Sequence, residues 1–230
     1  MENKLIQETD RLPDIKDIKV KENDNFRLEL ACFDHSPDGS INIHADKNSH
    51  VGIYISDFSS ESNHLNLEVE LEEGATAEIR VAVLCHGEAK KLFTPNVKHL
   101  APHSEAFVSC YGIAADSSDL SFKGLSAVDN GAKKASTRQE AKIILFDEKA
   151  KGAASPALVI NENDIKAGHG ASIGRLNDEH LFYLESRGLS EREAKRLIIL
   201  GYLKPIIKFY SDKNMQERIN DAIEGGISHD

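Results

Sequence analysis

No tryptophan occurs in the 230 residues, and the aromatics are limited to nine Phe and five Tyr. Enzymes that grip polymers lean on aromatic-walled grooves, so a carbohydrate-acting enzyme starts at a disadvantage. Cysteine is equally scarce. Cys32, Cys85 and Cys110 lie 53 and 25 residues apart with no CxxC pair, which excludes a local zinc or iron–sulfur ligand run. An odd, dispersed set of thiols suits a reducing, cytoplasmic setting. Positive charge is in deficit: 28 Lys plus Arg against 38 Asp plus Glu give a net charge of −10. That removes the phosphate attraction behind most nucleic-acid binding and the polybasic signature of a membrane-surface protein. Long apolar runs are absent. The stretch Leu197-Ile198-Ile199-Leu200 falls far short of a bilayer span, and Met1-Glu2-Asn3-Lys4 opens no signal-peptide pattern. The expectation is a soluble, cytoplasmic protein with no nucleic-acid or membrane partner. There is also no Walker A motif and no GxSxG, so the chain is neither a P-loop ATPase nor a serine hydrolase of that type.

What the sequence does contain is a period of two. Leu65, Leu67, Val69 and Leu71 alternate with Asn66, Glu68 and Glu70; after Glu73-Gly74, Ala77, Ile79, Val81 and Val83 share one face. Shorter alternations sit at 28–30, 41–43, 53–55 and 120–122, punctuated by Pro37-Asp38-Gly39, Gly87 and Asp129-Asn130-Gly131. Such patterns predict half-buried strands. Residues 1–25 are polar and aperiodic and read as a loose or edge-attached lead; residues 26–175 read as a β body. Sandwich, barrel and irregular β-helix all remain open, because no strict short repeat is present.

After Gly174 the pattern turns helical over residues 176–230. Asn177 is a candidate N-cap and Gly188 a stop, and Ser190 with Glu193 matches a capping box. Ala194, Leu197, Ile198 and Gly201 follow at helical spacing before Pro205, and a third helix is expected over 212–223. Leu181, Phe182, Leu184, Leu197, Ile198 and Leu203 are expected to pack internally and onto the end of the β body, shielding its open edge.

Ten histidines raise the question of metal binding. His99 and His103 have helical metal-pair spacing, but Pro102 and the extended context argue against it. Cys85 and His86 are adjacent on a strand and point to opposite faces, so a core cysteine is the better reading. His169, between Gly168 and Gly170, stands where the backbone allows close approach of another chain.

The run from Ala157 through Gly168-His169-Gly170-Ala171-Ser172-Ile173-Gly174 to Leu181-Phe182-Tyr183-Leu184-Glu185-Ser186-Arg187-Gly188-Leu189-Ser190 resembles the SufB/SufD family of iron–sulfur cluster assembly proteins. Weaker likeness runs through Val97–Leu100, Tyr111–Ile113 and Arg138–Ala141, so the resemblance covers about 60–205. It implies a mainly β fold: a right-handed parallel β-helix core followed by a C-terminal α-helical region. It implies a non-enzymatic scaffold subunit with no intrinsic cofactor. It also implies a SufC-like ABC ATPase docked on the helical region, and a SufB- or SufD-like subunit, or a second copy, paired through the β-helix. A transient cluster would be handled at that subunit interface, with His169 as its ligand. Two departures stand out. SufB-type sequences tend to carry a glutamate after this histidine, where this chain has Gly170. They also carry a cysteine ahead of the strand that begins at Pro156, where Lys149–Ser155 has none. The chain therefore looks SufD-like and short. The competing readings are a carbohydrate-acting β-helix enzyme and a minimal homodimeric SufB-like scaffold.

Overall fold

The computed structural model describes residues 3–14, 17–176 and 178–225. The chain coils back and forth between two sheets. In chain order the strands are β1 (Asn3–Thr9), β2 (Asp17–Val20), β3 (Asn25–Cys32), β4 (Gly39–Ala45), β5 (His50–Asp57), β6 (Asn63–Leu71), β7 (Thr76–Cys85), β8 (Lys90–His99), β9 (Glu105–Ala114), β10 (Asp119–Phe122), β11 (Leu125–Val128), β12 (Ser136–Leu145), β13 (Lys151–Ala154), β14 (Ala157–Ile160) and β15 (Lys166–Arg175). One sheet stacks β1-β3-β5-β7-β9-β12-β15; the other stacks β2, β4, β6 and β8, then the split pairs β10/β11 and β13/β14. Every pairing is parallel. Of the three β architectures left open by the sequence, the molecule is thus the β-helix.

Period-two alternation sends one set of side chains into the lumen between the sheets. Leu28, Leu30, Ile53, Ile55, Ile79, Val81 and Val83 from one sheet meet Ile41, Ile43, Leu65, Leu67, Val69 and Phe93 from the other. No repeat is visible in the sequence because the coil grows. The step from one coil to the next rises from 22 residues (Asn3 to Asn25) to 31 (Glu105 to Ser136). In the first sheet the strands lengthen along the way, from 7 residues in β1 to 10 in β7, β9, β12 and β15. What repeats is a corner. Asn23, Asn48, Gly74, His103 and Lys134 all adopt left-handed φ between 55° and 68°. Each sits two residues before a strand of the first sheet, and each donates its N–H to a carbonyl one coil on. Asn and Gly are the residues that tolerate this conformation best.

Residues 1–25 contribute β1 and β2, the edge strands of the narrow end, paired to β3 and β4. Deeper in the stack, the Lys91 ammonium is fully buried against Asp57 at 2.6 Å and also donates to Ser59. These partners satisfy a charge that the lumen would otherwise exclude.

The helical region comprises α1 (Asp178–Ser186), α2 (Glu191–Leu203), a 3₁₀ segment over Lys204–Phe209, and α3 (Lys213–Gly225). Asn177 lies outside the described residues. Gly188 takes φ 94°, and the amides of Gly188 and Leu189 return to Glu185 and Leu184, ending α1 as its sequence predicts. The Ser190–Glu193 capping box is present in full.

Its placement corrects an expectation. The helices do not sit on the end of the β body; they lie along the outer face of the first sheet. Ile199, Leu203, Ile206, Tyr210, Ile219 and Ile223 pack on Ala31, Tyr54, Ala82, Leu84 and Ile113 from β3 to β9. The physical reason is that those strands end in outward-facing apolar residues, a second apolar stripe that must be covered. Phe182 and Leu197, expected to be packed, are 70 % and 48 % exposed, and Tyr183 beside Phe182 is exposed too. The return segment after the 3₁₀ turn is clamped at the narrow end. Arg27 donates to Phe209 O, the Tyr210 hydroxyl donates to Leu30 O at 2.8 Å, and Glu29 accepts from Ser211 N at 2.9 Å, from Ser211 Oγ and from Gln7. Burial alone would raise the Glu29 pKa, but these bonds and the one from Arg27 bring it below the usual carboxylate value.

Candidate functional site

With the helices displaced sideways, the last coil is open. β15 pairs with β12 on one side only, and nine of its ten residues are exposed. His169 lies in its middle, in register with Gln139 of β12. In-register parallel neighbours point to the same face. Gln139 is buried and reaches Ser126 of the opposite sheet, so His169 stands on the luminal face, at the mouth of the open end.

Beneath it is a small polar floor. The Ser126 hydroxyl oxygen accepts from Gln139 Nε2 at 2.6 Å and from Thr137 Oγ1 at 3.0 Å; Gln139 also donates to Ala157 O. Gly124, which separates β10 from β11, makes room for this amide: a Cβ there would lie 2.6 Å from Gln139 Oε1. Sequence reasoning found His169 and missed this floor. Thr137 and Gln139 occupy luminal positions of the period-two pattern where apolar residues are the rule, and that was the available signal.

The other candidates separate from His169. His99 is buried in the lumen, its Nδ1 2.8 Å from Ser104 Oγ and its Nε2 without a hydrogen-bond partner. Desolvation lowers its pKa to about 4. His103 occupies the left-handed corner. Cys85 ends β7 in the core, and Cys32, Cys85 and Cys110 are all buried free thiols. Burial raises all three pKa values, Cys110 to about 12, so none is prepared as a thiolate nucleophile or metal ligand. Among the described residues, no group of three or more His, Cys, Asp and Glu converges to hold a metal ion. His169 therefore offers one imidazole at an open end, and a metal centre there would need ligands from another chain.

The family model for the SUF system FeS cluster assembly SufBD core domain matches residues 37–202, spanning the open end, β15, α1 and most of α2. The chain is 35 % identical to the iron–sulfur cluster assembly protein SufD of Bacillus subtilis over 152 residues, covering 66 % of this chain and 35 % of that protein. It is 30 % identical to SufD of Escherichia coli over 118 residues, covering 50 % of this chain and 28 % of that protein. Similarity to SufB of B. subtilis is 29 % over 110 residues, covering 48 % and 24 %. The matched region thus spans about a third or less of the length of these relatives. No helix among the described residues is long and apolar enough to cross a membrane.

Proposed function

The chain belongs to the SufBD family of iron–sulfur cluster assembly proteins, and from that premise we propose that it is a non-enzymatic, SufD-like scaffold subunit of a Suf-type complex. The observation that carries this reading is the open last coil, an unpaired ten-residue edge strand with a lone histidine at its luminal mouth. An unpaired edge is a template for another chain. A SufB-like subunit or a second copy continues the sheet at β15 and completes the site. The cluster is cargo at that interface: neutral imidazole from His169 supplies one ligand and the partner supplies the others. The buried thiols argue that sulfur is accepted on the partner rather than here. A SufC-like ABC ATPase docks on the solvent side of the helical layer, where Leu197 is exposed.

Two measurements test the reading. A SufC-like ATPase should co-purify with the wild type and be lost with Leu197→Asp, an exposed change that leaves the fold intact; failure of the wild type to retain any such ATPase overturns the docking. Anaerobic reconstitution with a SufB-like partner, followed by visible absorbance, should show several-fold less cluster for His169→Ala. Equal retention overturns the ligand role.

A further inference from the structure

The outer face of β15 is open. Helices cover β3 to β9 and reach the C-terminal end of β12 at Ile144, and along the rest of β12 and β15 lies a shallow cavity of about 640 Å³. No residue of the opposite sheet lines it, and the luminal side chains of Thr137, Gln139 and Ala141 are buried; the cavity is therefore on the outer face, opposite the lumen. Its floor is β15 itself. The outward positions are Lys166, Gly168, Gly170, Ser172 and Gly174, and a Cβ built at any of the three glycines meets nothing within 4 Å. Its wall is β12, with Arg138 bonded to Glu140 and Lys142 set 5.3 Å from the Tyr111 ring. Three cations and one carboxylate make a positive patch on a chain whose net charge is −10.

A complementary surface lies on α1. This helix packs mainly on α2. It presents Phe182 and Tyr183 to solvent and carries Glu179 and Glu185, while Arg187, just past its end, lies 5.2 Å from the Tyr183 ring centroid. Its start is separated from the end of β15 only by Leu176 and residue 177.

Symmetry brings the two surfaces together. If a second copy continues the sheet at β15 about a two-fold axis normal to the sheet, the strands pair antiparallel and both outer faces lie on one side. The C-terminal end of the second copy's β15 then lies beside the N-terminal end of this one, next to Lys166 and Gly168. We propose that, in a dimer formed through β15, α1 of each copy docks on the outer face of the other copy's last coil, its acidic and aromatic residues meeting Lys166, Arg138 and the glycine floor. This rests on the β15 pairing proposed above. Bare glycine backbone lets an aromatic ring approach closely, and the charges set the orientation. The contact would tie the histidine-bearing strand to the helical layer of the opposite subunit.

The test uses the full chain with one engineered thiol per variant, Gly168→Cys or Tyr183→Cys, since the three native thiols are buried. Both positions face open space, so both variants should fold. A short bismaleimide should give a covalent dimer in an equal mixture of the two variants and not in either alone. Adding Lys166→Glu to the Gly168→Cys variant should cut the yield several-fold. Light scattering on the same samples separates the two ideas. Dimer mass without cross-linking overturns the α1 contact and leaves the β15 pairing; monomer mass overturns both.

Discussion

At its narrow end the coil stack presents β1, and at its wide end β15. Both are edge strands of the same sheet, each with one unpaired side, yet they are built from opposite materials. The luminal positions of β1 include Lys4 and Glu8, in register with buried Phe26 and Leu30. Inward-facing charge on an edge strand opposes pairing with another chain. The luminal positions of β15 are Ala167, His169, Ala171 and Ile173, and nearby Val159 and Ile160 are exposed apolar residues. The narrow end is also clamped from outside by the return segment through Arg27, Glu29 and Tyr210, whereas among the described residues no such clamp reaches β15. One end is defended and held; the other is bare.

The contrast can be broken from the clamped side with the largest effect. Glu29→Ala leaves the Ser211 amide without its acceptor and removes one partner each from Gln7 and Arg27. It should cost about 3–4 kcal/mol, read by urea denaturation, and amide exchange in β1 and β3 should rise to the level of β15. Unchanged exchange in β1 would mean that the clamp does not hold this end.

Acid acts on the middle of the stack instead. His99 is neutral in the folded lumen with a pKa near 4, below its ordinary value of 6.5. The unfolded chain therefore binds the proton more readily, so the stability is complete above pH 6.5 and is lost as pH falls towards 4. The loss should reach roughly 3 kcal/mol, and His99→Met should flatten that part of the profile. The difference between the ends should persist throughout.

A smaller change loosens the helical layer. Ser190→Ala removes the capping box of α2 and should cost about 1 kcal/mol, with exchange rising at the start of α2 and not in β12. Smallest in stability, within about 0.5 kcal/mol, is the double change Lys4→Val with Glu8→Val. Its readout is association: light scattering should show a concentration-dependent increase in mass through the narrow end. A mass unaffected by this change would show that those charges are not the defence.

Much of the fold is legible along the chain. Alternation marks β6 and β7, and Gly188, Ser190 and Glu193 mark the ends of α1 and α2, because these signals are local. Three things are not. The coil step drifts, so no self-similarity announces the β-helix from residues alone, and that reading came from the family resemblance. The helices' seat on the outer face depends on Ala31, Tyr54, Ala82, Leu84 and Ile113 forming one apolar stripe across four strands, a pattern that exists only once register is known. β1 is masked by its own inward charges, which make a true strand read as a polar lead. At the site, His169 stands out by its glycine neighbours, whereas Gln139 and Ser126 are 13 residues apart and meet only across the lumen.

The widening of the coils has a consequence of its own. β1 offers 7 residues and β2 only 4, against 10 in β15. A stack of uniform bore could add copies head to tail without limit and grow into a filament. A tapered one cannot: its narrow end leaves part of the wide end's backbone unmatched at every junction, and the mismatch recurs with each copy. The taper thus favours closed pairs over open chains by shape alone, independently of any charge.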